Sequence, residues 1–338
     1  MTETQVEPAS ETLSGQGEHC PCQTFLRATE RAALGAARWL GRDDQEAAEE
    51  AAATGMRATL DLLPIHGRVV FGSRDDAGGL TPGAAIGGGG GLELDLALDP
   101  LEGRGVVARG GNGAMSMIAV GDSGHLLTLP DMYMRKMAVG PRARGSIDLL
   151  RPVADNVEAI ATAFGRRVND VTTIVLDRPR HHDLIEEIRN AGARIKLIQD
   201  GDVTAAISAA IRGTNDHLAI GIGGTRQAVL SAAALRCLGG ELQAQFWPTS
   251  RREIDELGEL GIDDYTRVFR TEDLAPGEVI VAATGVSNGD LLRGVRYLAD
   301  SARTHSLLMC TRCNWVRFVD GIHFFARERR EEVRLLGY

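Results

Sequence analysis

The sequence predicts an α/β protein, and three observations carry that expectation. From residue 171 onward, short segments rich in Val, Ile and Leu alternate with helix-patterned segments at the spacing of strand–helix–strand crossovers. Glycine is abundant at 41 residues and aromatic residues are sparse at 4%, which suits tight turns and an aliphatic interior. Hydrophobic residues make up 43% of the 338, enough to fill one large or two medium cores.

Taken in order, residues 1–19 are polar and acidic and read as a disordered tail. Phe25, Ala28, Ala32, Ala36 and Trp39 recur at three and four residues, predicting an amphipathic helix over Thr24 to Leu40 with Thr24 as its cap and Gly41 as its stop. A second Ala-rich helix runs from Gln45 to Leu63 before Pro64 and carries Glu46, Glu49 and Glu50. Arg68 to Phe71 reads as a buried strand, followed by the polar turn Gly72-Ser73-Arg74-Asp75-Asp76. The five glycines 87–91 suit a mobile loop. Leu92 to Leu98 alternates as a strand with one wetter face, and Met115 to Val120 reads as another.

The rhythmic half reads as strand 171–176, helix 183–190, strand 195–198, helix 203–211, strand 218–222 and helix 227–238, hence a parallel sheet. Strand-like runs return at 279–283, 306–309 and 315–319. The expected division is a unit over 20–150 and a parallel-sheet unit over 151–338 that includes those last strands.

Charge narrows the partners. A formal net charge of −9 offers no basic field for nucleic acid, whereas a small phosphorylated ligand needs only local arginines. No apolar run approaches the roughly 20 residues that cross a bilayer, and the start lacks a secretory signal, so a cytoplasmic protein is expected. The five cysteines are an odd number, which argues against a disulfide framework. Cys20-Pro-Cys22 and Cys310-Thr-Arg-Cys313 supply a four-thiolate zinc site only if the chain ends meet; the first spacing is atypical, and the sequence shows no adjacency, so reduced, partly buried thiols are expected.

Ligands of parallel sheets gather at the carboxyl ends of the strands. Here those ends carry Asp177-Arg178-Pro179-Arg180, Gln199-Asp200-Gly201-Asp202 and Gly221-Ile222-Gly223-Gly224. Guanidinium forks suit phosphate, the two aspartates can accept from sugar hydroxyls, and a glycine turn into a helix offers N–H groups to an anion or serves as a purely structural turn. Asp99-Pro100-Leu101-Glu102-Gly103 places two carboxylates after a strand, where they face one Mg²⁺ or Mn²⁺ or cap the next element. His181-His182 are adjacent and diverge in direction, so they read as ordinary surface or pocket histidines. Ser73 and Ser116 lack a base partner, and the Arg327–Glu332 segment reads as a solvated terminus.

Those segments, with Pro130-Asp131-Met132-Tyr133-Met134 and Ala283-Thr284-Gly285 through Gly289-Asp290, stand in the order and spacing of the class II (GlpX-type) fructose-1,6-bisphosphatases, which the chain resembles over nearly everything after Phe25. The resemblance implies a layered αβαβα sugar-phosphatase fold in two subdomains, carboxylate-bound divalent metals and a homo-oligomer. It also implies a sugar-phosphate pocket of Gly103, Tyr133, Arg178, Arg180, Asp200, Asp202 and Gly224, with Arg178 standing where the family usually has lysine.

The metal and catalytic positions depart from that pattern. Asp99 and Glu102 match metal ligands, and Glu49 stands at a family aspartate. Ser73 and Gln227 replace ligand glutamates, Arg104 replaces the threonine that orients the attacking water, and Ala77 replaces its acidic helper. Arg74, Arg104 and Arg226 appear beside the lost positions and either neutralise phosphate or pair with nearby acids. The residues therefore predict Mg²⁺ or Mn²⁺ as one ion or none rather than two, with Asp99, Glu102 and Arg104 as the catalytic candidates. Three functions fit: hydrolysis of a phosphosugar monoester, a different reaction such as isomerisation or elimination in the same pocket, or phosphosugar binding without turnover.

Overall fold

The computed structural model of the protein describes residues 20–73 and 75–325. The predicted tail, Arg74 and the Arg327–Glu332 segment lie outside the described residues. The chain begins with helices α1 (Cys22–Ala37) and α2 (Gln45–Leu60), then strands β1 (Ile65–Phe71), β2 (Ala85–Ile86) and β3 (Leu92–Glu102), a short helix α3 (Arg104–Ala108), and strands β4 (Met115–Asp122) and β5 (Tyr133–Val139). Helix α4 (Val153–Phe164) leads to β6 (Thr172–Leu176), α5 (His182–Asn190), β7 (Arg194–Ile198), α6 (Asp202–Ala210), β8 (Leu218–Gly224) and α7 (Thr225–Leu238). The remainder is β9 (Glu241–Phe246), α8 (Arg251–Glu259), β10 (Phe269–Arg270), α9 (Thr271–Leu274), β11 (Val279–Gly285), β12 (Arg296–Tyr297), β13 (Ser301–Cys310) and β14 (Trp315–Phe324).

Among the described residues the strands form two sheets. One runs β12-β13-β11-β4-β3-β1-β2 with β14 on β13, the other β10-β9-β5-β8-β6-β7. Side chains alternate across a strand, so each sheet has two apolar faces to cover. On β4, Met117 and Ala119 face a core shared with α6, α7 and Met134 and Ala138 of β5. Ile118 and Val120, on the opposite face, pack with α1 and α2. The outer face of the second sheet, through Met137 and Val139, is covered by Val157 and Ile160 of α4. The layers are thus α1 and α2, first sheet, α6 and α7, second sheet, α4 and α5: the expected αβαβα architecture. Helix α7 is buried nearly all round because it lies between two sheets, which its run of alanines permits.

Several expectations change. Pro21, not Thr24, is the N-cap of α1; the Thr24 N–H donates to the Pro21 carbonyl at 2.9 Å, so its hydroxyl is not the cap. Strand β3 is wet only at Leu92 and Glu93 and is buried from Leu94 on, where Asp95 is held in a pair with Arg68 at 3.0 Å. The glycine run belongs to no element and is tied to β1 and its approach: Gly88 N–H donates to Leu63 O at 2.8 Å and Gly90 N–H to His66 Nε2 at 2.9 Å. The second sheet is mixed, since β7, β6 and β8 are parallel but β5 runs antiparallel to both β8 and β9. Strands β11 to β14 complete the first sheet rather than joining the unit that starts at residue 151, and β5 belongs to the second sheet. Pairing with β4 and covering α1 is what lets apolar β11 and β13 bury both faces.

Candidate functional site

The carboxylates Asp99 and Glu102 are three residues apart, which on a regular strand sends them to opposite faces. A bulge changes that. Asp99 lies opposite Met117 and Glu102 opposite Met115, so three steps on β3 match two on β4. Both partners face the middle layer, and both carboxylates follow them there. Gly103 then turns the chain with φ 93°, in the left-handed region that favours glycine, and starts α3.

Opposite stands the second sheet. The carboxyl ends of β6, β7 and β8 deliver Arg178 and Arg180, Asp200 and Asp202, and Gly223 and Gly224, while the antiparallel β5 brings Tyr133 directly across from Gly224. Together they enclose a cavity of about 360 Å³ lined by Asp99, Glu102, Gly103, Arg104, Tyr133, Arg178, Arg180, Asp200, Asp202, Gly224, Arg226 and Gln227. Every residue predicted for the sugar-phosphate pocket is therefore on one surface. Arg180 lies over the Tyr133 ring at 5.1 Å and donates to Ile222 O at 2.9 Å, while Arg178 donates to the carbonyls of Asp177 and Gln199. These contacts hold two guanidinium groups at the mouth without spending them on carboxylates.

The two carboxylates are already engaged. Asp99 Oδ2 accepts from Gln227 Nε2 at 3.2 Å and stands 3.6 Å from the Arg226 guanidinium. Glu102 accepts from Val203 N–H at 2.8 Å and Thr204 Oγ1 at 2.9 Å, at the N-terminus of α6. Burial, then the adjacent Asp99, pushes Glu102 up to about 8, against the pull of those hydrogen bonds.

The remaining candidate metal positions are less convergent. Glu49 is buried on α2, which packs against β3 and α3, and is not among the residues lining the cavity. Ser73 is buried with its hydroxyl donating to Ala77 O at 2.6 Å. Arg104 lines the cavity and pairs with exposed Asp75 at 3.0 Å, whereas Arg226 turns inward and donates to Gly72 O. As placed, these side chains do not fit a pair of divalent cations: a guanidinium and an amide N–H occupy the Asp99 oxygen, and helix N–H groups occupy Glu102. Among the described residues, the group of His, Cys, Asp and Glu ligand atoms that does converge is instead Cys20, Cys22, Cys310 and Cys313.

Sequence reasoning missed Lys136. It is buried on β5, ion-paired with Asp202, and donates to Gly224 O at 3.3 Å, so it fixes one carboxylate of the cavity wall from behind. The available signal was a pair of adjacent cations, Arg135 and Lys136, inside an otherwise apolar strand. His181 is neither a surface nor a pocket histidine: it is fully buried, with Nδ1 bonded to Leu176 O and Nε2 accepting from Ile222 N–H, both at 2.8 Å. It locks the end of β6 to β8, while His182 is exposed. Ser116 is buried in β4, away from the cavity, and Asp290 pairs with Lys196 at 2.6 Å in a neighbouring cleft.

Fold and cavity define a five-layer α/β protein with sugar-phosphatase architecture, its arginine-rich wall facing a carboxylate turn. The sequence model of the family described as bacterial fructose-1,6-bisphosphatase, glpX-encoded, matches residues 22–323, and the chain belongs to that family. Among curated proteins, it is 42% identical over 326 residues to the D-fructose 1,6-bisphosphatase class 2/sedoheptulose 1,7-bisphosphatase of Synechococcus sp. (strain JA-3-3Ab), covering 88% of this chain and 94% of that one. It is 38% identical over 337 residues to the protein of the same description from Microcystis aeruginosa (strain NIES-843 / IAM M-2473), covering 92% and 98%. Among the described residues no helix is long and apolar enough to cross a membrane.

Proposed function

We propose that the cavity takes a sugar bisphosphate of the fructose 1,6- or sedoheptulose 1,7-bisphosphate kind and that the chain hydrolyses one of its phosphomonoesters, with guanidinium groups doing the charge neutralisation that a second cation would do. The reading rests on the Arg226–Asp99 contact inside the same cavity that Arg178, Arg180, Asp200 and Asp202 line. Water attacks phosphorus, the bond to the sugar oxygen breaks, and that oxygen takes a proton, leaving inorganic phosphate. In this reading Asp99 orients the water, Arg104 and Arg226 face the transferring phosphoryl group, and Glu102 holds the α6 end in place. Arg178 and Arg180 bind the phosphate at the mouth, and Tyr133, Asp200 and Asp202 meet the sugar. The centre is a degraded two-metal site that holds one Mg²⁺ or Mn²⁺ at most.

Phosphate release from the two bisphosphates, measured with Mg²⁺ or Mn²⁺ against Asp99→Asn, tests this. Release above the variant's supports hydrolysis; release equal to it overturns hydrolysis. A second reading, binding without hydrolysis, is favoured by Ser73 and Gln227 at the substituted positions. It predicts that the same sugars raise the melting temperature, because a ligand that binds only the folded state stabilises it.

A further inference from the structure

We propose that Cys20, Cys22, Cys310 and Cys313 form a closed structural zinc site that ties the two ends of the fold together. Cys20 and Cys22 flank Pro21, the residue that caps α1, while Cys310 ends β13 and Cys313 lies in the turn to β14. The sequence leaves these pairs unconnected, and the fold brings them together because α1 covers the outer face of the sheet that β13 completes.

The spacing of the sulfurs favours one tetrahedral ion. All four Sγ atoms lie within 4.8 Å of one another, and Cys20 Sγ is 3.7 Å from Cys310 Sγ. Thiolates at about 2.3 Å from a tetrahedral zinc stand about 3.8 Å apart, whereas a disulfide needs about 2.05 Å. Four sulfurs this close surround a single ion more readily than a polynuclear cluster, whose several metals spread their ligands. With four protein thiolates no position remains open, so the role is structural rather than catalytic.

The surroundings are built for such a site. Thr311, inside the Cys310–Cys313 turn, donates its N–H to Val279 O at 3.0 Å, and its Oγ1 accepts from Val279 N–H at 2.8 Å, anchoring the turn on β11. Asn314 takes a left-handed φ of 51°, which closes the turn back into β14. The Cys313 N–H points at Cys310 Sγ at 3.4 Å, a backbone donor to sulfur of the kind that supports a thiolate ligand. Cys22 and Cys310 are buried, and Cys20 and Cys313 are partly so, packed against the α1 and α2 core with Trp315. Arg312, paired with Glu278 at 2.7 Å, sits in the same turn and lines a small cleft with Cys20, where its positive charge opposes the net negative charge of four thiolates around Zn²⁺. The fifth cysteine, Cys237 on α7, is not in the group.

Because the ligands arrive from opposite ends of the sequence, 290 residues apart for Cys20 and Cys310, the free energy of metal binding becomes free energy of folding. The test uses the full chain purified without metal-affinity chromatography. Elemental analysis is expected to give one zinc per chain, and X-ray absorption four sulfur neighbours at about 2.3 Å. Cys20→Ser and Cys313→Ser lose the zinc and melt at lower temperature, while Cys237→Ser and Asp99→Asn keep it. Zinc-free native protein, iron in place of zinc, zinc retained by both serine variants, or two disulfides found by mass spectrometry each overturn the assignment. Should the serine variants fail to fold, metal content and sulfur coordination of the unaltered chain decide the matter. None of these readouts depends on phosphatase activity.

Discussion

Arg226, in the first turn of α7, places its guanidinium 3.6 Å from the carboxylate of Asp99 on β3, and both side chains are buried. The contact joins the carboxylate turn of one sheet to the helix between the sheets, at the bottom of the cavity. Its sign is what matters: a fixed positive charge stands against the acid that a cation would otherwise need. Removing one partner of a buried pair costs about 3–5 kcal/mol because the other charge is left without compensation. Arg226→Met is therefore expected to lower the unfolding free energy from urea titration by that order, and adding Asp99→Asn is expected to recover most of the loss. A loss in the double variant equal to the sum of the Arg226→Met and Asp99→Asn losses would show that the pair carries no coupling.

The substituted positions can be reversed. Arg104→Thr, Ser73→Glu and Gln227→Glu together return two carboxylates and remove one guanidinium at the site. On zinc-loaded protein, Mn²⁺ titration is expected to gain bound ions relative to the unaltered chain, and phosphate release from fructose 1,6-bisphosphate to rise at least about tenfold, the gain of one added transition-state contact of about 1.4 kcal/mol. No gain in either would mean that these substitutions do not limit the site.

Lys136 supports the cavity wall from the core. Its replacement by Met leaves Asp202 beside the cavity without its cation, with an expected stability loss of about 3 kcal/mol. Because Asp202 also lines the cavity, the melting-temperature rise produced by a sugar bisphosphate is expected to shrink. An undiminished rise would separate Lys136 from ligand binding.

His181 makes stability depend on pH. Burial lowers its basicity and prevails over the hydrogen bond to the Leu176 carbonyl, which raises it; Arg180 and Arg178 act with burial, and Asp202 opposes them. Since Nε2 accepts the Ile222 N–H, the neutral ring is the one the fold holds. Above the unfolded value of about 6.5, both states carry a neutral ring; below it, the unfolded chain takes the proton first, so stability falls as the medium is acidified. Urea midpoints measured from pH 7.5 to 5 are expected to fall more steeply for the unaltered protein than for His181→Gln. Identical slopes would remove His181 from the account.

Much of the site was legible in the residues. The strand-and-helix rhythm after Val171 placed Arg178, Arg180, Asp200, Asp202 and Gly224 at the carboxyl ends of neighbouring strands, because parallel strands must all end on the same side. Asp99-Pro100-Leu101-Glu102-Gly103 likewise announced two acids and a glycine turn. Local pattern suffices for such features, since period and turn chemistry act over a few residues.

What the sequence by itself determined, then, is the alternation of elements, the family motifs and the composition of the cavity wall. Which way a charge faces was decided by tertiary structure alone. The β3 bulge aims Glu102 at α6, α7 carries Arg226 inward to Asp99, and β5, antiparallel where a parallel sheet was expected, sets Lys136 behind Asp202. The meeting of Cys20 and Cys22 with Cys310 and Cys313 belongs there too. Contacts across hundreds of residues depend on which apolar faces bury one another, and no local spacing encodes that.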